Sequence, residues 1–383
     1  MLFIKNGYIK PMVGQDIENG SILVDGGKII AVGADLAAPE GATVIDAGGR
    51  LVTPGCIDAH CHIGMFNGWT GSDGNESVDP ITPQLRAIDS IDPMYETFAE
   101  ARKGGVTTAC TGPGSANVVG GTFIAIKLVG KRVDKMVLKD PIAMKCAFGE
   151  NPKRCYGQTS KKSPLTRMAV AALLRELLFK TQRYMQDKEE GKNPGFDMKL
   201  EAMIPVMRRE IPLKAHAHRA DDILTSIRVA KEFNVDITLD HCTEGALIAE
   251  ELAAEGLSAF VGPSLGSKSK IELKNKSFTT PAVLHKAGVP VSIITDAPVI
   301  PLQHLPMCAG MAASAGLDME EAWRAITINP AKATGIADRV GSLEAGKDGD
   351  VVIWAADPLR TVGAESWITV VDGKIVYQAE VTE

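Results

Sequence analysis

The sequence predicts an α/β protein with a (β/α)₈ TIM barrel and a small composite β-sandwich domain formed by both termini. Between residues 55 and 345, apolar strand-like runs alternate with helical segments, which is the pattern of βα units around a parallel sheet. Both ends of the chain contain only short strands and turns. The 38 glycines and 21 prolines suit many short connections between strands and helices.

Composition excludes several classes of partner. A hydrophobic content of 45% over 383 residues is enough for a large core. The formal net charge of −6 and the aromatic content of 5% give no reason to expect nucleic acid or an anionic membrane as a partner. We therefore expect a small-molecule substrate. The sequence is also compatible with a homo-oligomer.

The cysteines and the apolar runs predict a cytoplasmic protein. Seven cysteines are scattered through the chain without a CxxC pair, which favours free thiols in a reducing compartment. The amino-terminal run MLFIKNGYIK lacks the long apolar core of a secretion signal. No stretch approaches 18 apolar residues, so we expect no transmembrane helix.

Both ends of the chain are predicted to share one β domain, made of residues 1–54 and 346–383. Glycines in the turn 25–27 supply the positive φ that a hairpin needs. Neither end has enough strands for a stable sheet of its own, so we expect the two ends to join. The predicted strands are 2–4, 21–24, 28–32, 43–46, 350–354, 367–371 and 374–377.

The middle of the chain, residues 55–345, is predicted to be the barrel domain. Eight strands are expected to end near residues 62, 110, 127, 147, 216, 240, 261 and 295. Helices are predicted over 164–187 (with Ser163 as N-cap), 220–233 and 243–255. In such barrels the active site lies at the carboxyl ends of the strands. The long loops 64–83 and 155–162 follow strands and are expected to overhang that end.

Two histidines at the end of the first barrel strand indicate half of a metal site. His60 and His62 follow the apolar run 51–57, which reads as a short strand. Alternate side chains of a strand point to the same face, so both imidazoles are expected side by side. Paired imidazoles suit zinc or a similar cation. A pair of solvated loop histidines, or one histidine packed in the core, is the alternative interpretation.

Further ligand-type residues follow later strands. His216 and His218 form a second HxH, and His216, which is nearer the strand, is predicted to bind metal while His218 orients substrate or packs. His241 ends the next such strand. Asp296 follows the last strand, where a carboxylate can take a proton from an attacking water and pass it on. The order of these residues on successive strand ends is much more specific than any one of them.

A lysine inside an apolar strand has two interpretations. Lys145 stands in the run 142–148, where an unpaired ammonium would be costly. The side chain could extend to the strand end and reach solvent. Alternatively, desolvation could lower its pKa and leave a free amine, which CO₂ converts to a carbamate that bridges two metals.

The chain resembles the amidohydrolase superfamily of metal-dependent hydrolases over almost its whole length. The segments that carry the resemblance are 2–7, 53–62, 327–332 and 341–350. Within that superfamily the sequence is most similar to the imidazolonepropionase-like and dipeptidase-like branches. The resemblance implies a (β/α)₈ barrel with a composite β-sandwich, and a site with two divalent metal ions, for which zinc is expected.

The resemblance also implies roles for the residues singled out above. His60 and His62 would hold the buried metal, His216 and His241 the second metal, and Lys145 would bridge them as a carbamate. Asp296 would be a ligand and the catalytic acid/base. Some branches use a glutamate as the bridge, so Glu150 is the alternative. We favour Lys145 because it lies within the strand, whereas Glu150 lies beyond its end.

Four residues are predicted to contact substrate: Glu150, His218, Arg219 and His304. The planar guanidinium of Arg219 suits a substrate carboxylate, although a surface arginine at a helix start is an equally good interpretation. His304 follows Asp296 by eight residues. Trp69, in the first long loop, is a weaker candidate.

The predicted function is hydrolysis of a carbon–nitrogen amide bond, in a cyclic amide, an N-acyl amino acid or a dipeptide, by a hydroxide that bridges two metals. A deaminase with one metal, which would release ammonia, is the first alternative. Deaminases of the superfamily usually carry a glutamate shortly after the fifth-strand histidine, where this chain has His218 and Arg219. A non-catalytic scaffold related to dihydropyrimidinases is disfavoured by the complete set of ligand-type residues, and a metal-storage module by the placement of Asp296.

Overall fold

The computed structural model describes residues 1–67 and 71–380. Its strands fall into a terminal sheet, a barrel and one short hairpin. In chain order, they are β1 Leu2–Ile9, β2 Ile17–Asp25, β3 Lys28–Gly33, β4 Thr43–Asp46, β5 Leu51–Pro54, β6 Cys56–Cys61, β7 Phe66–Asn67, β8 Gly71–Ser72, β9 Val106–Thr111, β10 Val119–Lys127, β11 Val137–Ala147, β12 Leu213–Ala217, β13 Ile237–His241, β14 Ala259–Val261, β15 Val291–Ile293, β16 Val351–Trp354, β17 Ser366–Val371 and β18 Lys374–Gln378.

Most of the helices lie between the barrel strands or after the last of them. They are α1 Thr97–Lys103, α2 Glu150–Pro152, α3 Arg167–Glu189, α4 Met198–Met207, α5 Ala220–Phe233, α6 Ala249–Glu255, α7 Thr280–Lys286, α8 Leu305–Ser314, α9 Met319–Arg324 and α10 Ile328–Ala333. A π-helical turn, Lys153–Thr159, continues α2. None of the helices in the described chain combines the length and hydrophobicity that crossing a bilayer requires.

Eight strands form a nearly closed barrel, which confirms the predicted fold class. Their order is β6-β9-β10-β11-β12-β13-β14-β15. The two end strands meet where the chain leaves them. The amide of His62 donates to the carbonyl of Ala297 at 2.8 Å, and that of Asp296 donates to the carbonyl of His60 at 3.2 Å. These two bonds fix the ends of the first and last strands against each other.

The barrel departs from the predicted strand–helix alternation at β10. This strand is antiparallel to both β9 and β11, and the described chain has no α-helix in either connection. Antiparallel neighbours can be joined by short turns, whereas a parallel pair needs a long crossover. Lys127, at the end of β10, consequently does not lie among the site residues. Its ammonium pairs with Asp348 at 2.8 Å and with Asp350 at 2.9 Å, which ties the barrel to the terminal sheet.

The strands from the two ends of the chain form one hydrogen-bonded sheet. Its order is β18-β17-β16-β5-β1-β2-β3, with β4 paired to β1. The antiparallel pair of β5 and β16 joins the amino-terminal and carboxyl-terminal strands. Apolar side chains from both ends pack into one buried cluster, including Ile4, Ile22, Ile353 and Val370. The division into domains at residues 54 and 346 remains our proposal.

The run 51–57, predicted as a single strand, is divided between the two sheets. β5 pairs in the terminal sheet and β6 pairs with β9 in the barrel, so the chain changes sheet at Gly55. A Cβ at this position would lie 2.0 Å from Thr107 Oγ1. Glycine therefore allows the close approach that brings the first barrel strand, with its histidines, directly out of the terminal sheet.

Two predicted helices begin later than expected. α3 begins at Arg167, and the Thr166 hydroxyl accepts a hydrogen bond from the amide of Ala169 at 3.1 Å. Thr166 is thus the N-cap, and the prediction of Ser163 was wrong. The segment predicted as a helix over 243–255 begins with a 3₁₀ turn, Gly245–Ile248, and becomes α-helical at Ala249.

Candidate active site

Ligand-type side chains from four barrel strands converge at one end of the barrel. His60 lies in β6 and His62 directly follows it, while His216 lies in β12 and His241 ends β13. Asp296 follows β15. The four imidazoles are buried, and the Asp296 side chain keeps 16% of its surface exposed. Residues far apart in the sequence therefore meet because parallel strands end at the same rim.

The first group of candidate ligands is His60, His62 and Asp296. Asp296 Oδ1 lies 3.1 Å from His62 Nε2 and 3.5 Å from His60 Nε2. The two imidazole rings are 5.1 Å apart and nearly perpendicular. Two imidazole nitrogens and one carboxylate oxygen thus point at a common position, which is a donor set that suits a divalent transition metal.

The second group is His216, His218 and His241. Their ring centres lie 4.3 Å apart for His216 and His241, and 4.7 to 4.8 Å apart for the pairs that include His218. His218, predicted to orient substrate or pack, therefore lies among the candidate ligands. The ring of His60 is 5.0 Å from that of His241, so the two groups adjoin and form one site.

Each of the five imidazoles has its Nδ1 atom next to a neighbouring protein atom. Metal-binding histidines usually have such a partner, because it fixes the ring and leaves the other nitrogen for the metal. The partners are Asp240 Oδ2 for His60 and Gly112 O for His62 (both 2.7 Å), and Ser115 Oγ for His216, Thr243 Oγ1 for His218 and Gly262 O for His241 (all 2.8 Å). The His60–Asp240 contact joins a buried imidazole to a buried carboxylate.

One buried Nε2 atom of the candidate ligands has no hydrogen-bond partner among the described residues. The Nε2 atom of His241 is inaccessible to solvent and makes no hydrogen bond. Buried polar side-chain atoms are normally satisfied, and those that are not usually have a functional reason. A cation between the two groups would satisfy this nitrogen, so the residues fit a metal site.

Lys145 extends into the same site from β11. Its side chain is fully buried, with Nζ 3.2 Å from His60 Nε2 and 5.4 Å from the centre of the Phe123 ring. Burial lowers the pKa of Lys145 to about 8, although the nearby carboxylates of Asp240 and Asp296 oppose that shift. The neutral amine is consequently easier to reach near neutral pH than it is for an exposed lysine.

The charge states of the other groups also favour metal binding. Burial lowers the pKa of His60 to about 3 and that of His241 to about 4. It also holds the pKa of His216 and His218 well below the ordinary value. Burial raises the pKa of Asp296. The nearby imidazoles, of which His241 has the largest effect, outweigh burial and hold this pKa well below its usual range. Neutral imidazoles next to a carboxylate are the forms that bind metal.

Two of these residues have left-handed backbone conformations. The φ angles are 71° at His241 and 55° at Asp296. For a residue with a side chain, this conformation costs about 1–2 kcal/mol. Strained backbone of this kind clusters at functional sites, where surrounding contacts hold it in place. Here it occurs at the last residue of β13 and shortly after β15, at two residues that belong to the ligand groups.

A buried pair behind His60 was not anticipated from the sequence. Lys214 Nζ lies 3.2 Å from Asp240 Oδ1, and both side chains are at most 1% exposed. Burial opposes the charge on Asp240, but Lys214 and then His60 hold its pKa well below the ordinary value. Both residues precede a site histidine by one or two positions, which is the only sequence signal that could have found them.

A cleft of about 320 Å³ opens over the two groups of ligands. Four predicted site residues line it: His62, His216, His218 and Asp296. Its other walls combine polar and apolar side chains that are not among the predicted site residues. They come from Phe66, Asn75, Gly114, Ser115, Asn151, Arg154, Pro263, Ser269, Lys270, Leu273, Pro298 and Val299.

Three of the predicted substrate-contacting residues do not line this cleft. Glu150 pairs with Lys153 at 3.0 Å and with Arg167 at 2.9 Å, so its carboxylate is already engaged. Arg219 pairs with Asp221 at the start of α5. His304 follows Gln303, whose backbone packs against Gly104 ahead of β9. Glu150 and Arg219 are thus paired with other side chains, and His304 is not among the residues that line the cleft. Trp69 lies outside the described residues.

Comparisons with known proteins show the family to which the chain belongs. The chain is 39% identical to an amidohydrolase from Thermotoga maritima MSB8, whose crystal structure it matches with a TM-score of 0.95 over 99% of this chain and 100% of that one. It is 26% identical to an imidazolonepropionase from Idiomarina loihiensis, over 88% of this chain and 86% of the relative.

A third relative is much longer. The chain is 29% identical to amidohydrolase tasK of Hapsidospora irregularis, over 92% of this chain but only 39% of that protein. The sequence profile of the amidohydrolase family matches residues 51–379, which include the barrel and the carboxyl-terminal strands of the sheet. The chain belongs to the amidohydrolase family and is a hydrolase that acts on carbon–nitrogen bonds.

Proposed function

We propose that this hydrolase cleaves an amide bond of a small-molecule substrate with two divalent metal ions. The observation that carries the proposal is the pair of three-residue ligand groups that adjoin through His60 and His241. A single metal would need only one of these groups. A non-catalytic scaffold would need neither, and would have no reason to keep a carboxylate at the floor of an open cleft.

Each of the two ligand groups would hold one metal ion. His60, His62 and Asp296 would hold the buried ion. His216 and His241 would hold the second, with His218 as the third imidazole of that group. Zinc is the ion that best suits a set dominated by imidazole nitrogens. This assignment extends the sequence-based prediction, which gave His218 a role toward substrate.

Lys145 is the proposed bridge between the two positions. Its free amine would add CO₂ and lose a proton, which gives an anionic carbamate with two oxygen donors. Burial supplies the low pKa that this addition requires, and Nζ already lies beside the Nε2 atom of His60. Glu150, the alternative bridge, is engaged with Lys153 and Arg167 instead.

In the proposed mechanism, Asp296 carries out the proton transfers. When bound, the two metal ions polarise the substrate carbonyl and acidify the attacking water. Asp296 takes the proton of that water and delivers it to the leaving nitrogen, which then departs as an amine. The low pKa of Asp296 keeps it unprotonated and ready to accept at neutral pH.

Metal stoichiometry tests the proposal. We expect close to two zinc ions per chain after purification in zinc and bicarbonate, loss of amide hydrolysis after chelation, and recovery on reloading. The measurement is elemental analysis together with a substrate screen of cyclic amides, N-acyl amino acids and dipeptides that scores both amine and ammonia. One ion per chain with release of ammonia would instead support a deaminase.

Replacing Asp240 with asparagine is expected to weaken metal binding about 10- to 100-fold, the usual effect of losing a carboxylate behind a metal-binding histidine. The change removes the charge beside His60 Nδ1 and leaves Lys214 unpaired. Competition with a chromophoric chelator measures the affinity. Asp236→Asn is the matched control, because Asp236 precedes the same strand but pairs with Arg209 at the surface. Equal metal affinity in both variants would contradict the assigned role.

A reducing, cytoplasmic location is also part of the proposal. All seven cysteines are free, and six of them are buried. Burial raises the pKa of the Cys110 and Cys146 thiols to about 12, so these side chains are inert packing groups at neutral pH.

A further inference from the structure

We propose that Arg154 and Lys270 form an anion subsite, which binds a carboxylate of the substrate. The inference rests on the proposed function and narrows it to one substrate class. That class is N-acyl amino acids or dipeptides with an apolar side chain. It replaces the sequence-based prediction in which Arg219 received the carboxylate.

Two separate loops bring these cations to the cleft. Arg154 belongs to the π-helical turn Lys153–Thr159 after β11, and Lys270 lies between β14 and β15. Both line the cleft that contains Asp296. Arg154 is exposed, and its guanidinium makes no hydrogen bond or ion pair with any residue in the described part of the chain. Its planar set of donors is therefore free for a carboxylate.

Lys270 is held at the wall by residues next to the ligand groups. Its ammonium donates to Asn151 Oδ1 at 2.9 Å and to Glu272 Oε1 at 3.0 Å. The Asn151 amide nitrogen lies 3.4 Å from His216 Nε2, so a single side-chain amide separates Lys270 from the candidate metal ligands. An ammonium has three donors, and two are used here. The third remains for a substrate atom.

The charge of the cleft favours an anionic ligand. Asp296 is the only acidic side chain among the lining residues that the structure describes, and it faces the histidines. Glu272 is 1% exposed, pairs with Lys270 and is not among the residues that line the cleft. Phe66, Leu273 and Val299 add apolar surface. A substrate with its amide at Asp296 would thus place a carboxylate toward the cations and an apolar side chain on the remaining wall.

Matched ligands test the subsite without turnover. N-acetyl derivatives of leucine, methionine, phenylalanine and proline would be titrated by calorimetry into the zinc-loaded Asp296→Asn variant, in which hydrolysis is suppressed, each beside its carboxamide. The further substitutions are made in the same variant. We expect the carboxylate to bind at least about tenfold more tightly than the carboxamide for the preferred side chain. Arg154→Gln and Lys270→Gln should each lower the affinity for the carboxylate about 10- to 100-fold and leave the affinity for the carboxamide unchanged.

Arg219→Gln is the control, because Arg219 pairs with Asp221 and does not line the cleft. It should leave the affinity for both ligand types unchanged. Equal affinity for carboxylate and carboxamide overturns the proposal, and so does the absence of binding by all four pairs. Carboxylate binding that survives both substitutions also overturns it, because the carboxylate would then be reaching the metal ions.

Hydrolysis of the same compounds separates this inference from the proposed function. Carboxylate-selective binding that depends on Arg154, without hydrolysis of any compound, would support the subsite and count against the proposed reaction. Faster hydrolysis of the carboxamides would support the reaction and overturn the subsite. Where both hold, the substitutions should raise KM much more than they lower kcat.

Discussion

Asp296→Asn is expected to lower kcat for amide hydrolysis about 10²- to 10⁴-fold, the range for a lost general acid/base. An amide in place of the carboxylate cannot accept the proton of the attacking water or deliver it to the leaving nitrogen. The side chain keeps its size and one oxygen atom. We therefore expect the zinc content, measured by elemental analysis, to fall much less than turnover.

Asp221→Asn is the control for this substitution, since Asp221 pairs with Arg219 near the same rim and does not line the cleft. It should retain turnover within a few-fold of the unaltered protein. A variant at Asp296 that binds two zinc ions and still turns over within about tenfold would contradict the proposed role. Loss of both metal and turnover would place Asp296 among the ligands without defining its part in catalysis, so the metal content is measured for every sample.

The strand-end histidines were within reach of sequence reasoning because their geometry follows from local rules. Side chains two apart in a strand share a face, so His60 and His62 were expected together. Parallel strands of a barrel end at one rim, which brings His216, His241 and Asp296 to the same place. These inferences need only the approximate end of each strand.

Features that depend on contacts between distant segments were not predictable in this way. The position of His218 depends on the turn after β12 and on Thr243, which holds its Nδ1 atom. The antiparallel direction of β10 depends on the short connections on either side of it. Neither feature has a periodic signal in the sequence, because each is decided by tertiary packing.

The cations that line the cleft were also not predictable from the sequence. Arg219 follows a site histidine closely in sequence, but the start of α5 directs its guanidinium to Asp221. Lys270 is more than fifty residues from that histidine, and its loop brings it to Asn151 and the candidate ligands. Position along the chain was therefore sufficient to group the candidate ligands on strands, but not to find the cations on loops, since loop geometry is not set by a repeating pattern.

Lys145→Ala is expected to remove most of the bound zinc and nearly all turnover. The substitution deletes the proposed bridge, whose amine lies beside His60, and it leaves space next to His60 and Phe123. Short carboxylates such as formate or acetate should enter that space and partly restore both metal content and activity. In the unaltered protein, ¹³C-labelled bicarbonate should give a carbamate signal by NMR, which the variant lacks.

Lys214→Met is the comparison that distinguishes a bridge from a buried charge. Lys214 is the cross-strand neighbour of Lys145 and is equally buried, but its ammonium contacts Asp240. This variant should keep the carbamate signal. If it loses zinc, added carboxylate should not restore the metal, because the Lys145 carbamate still fills the bridging position. Rescue of both variants, or of neither, would mean that the two lysines act only as buried cations. If Lys145→Ala kept two zinc ions without added carboxylate, the bridge would have to come from another residue, with Glu150 the first to test.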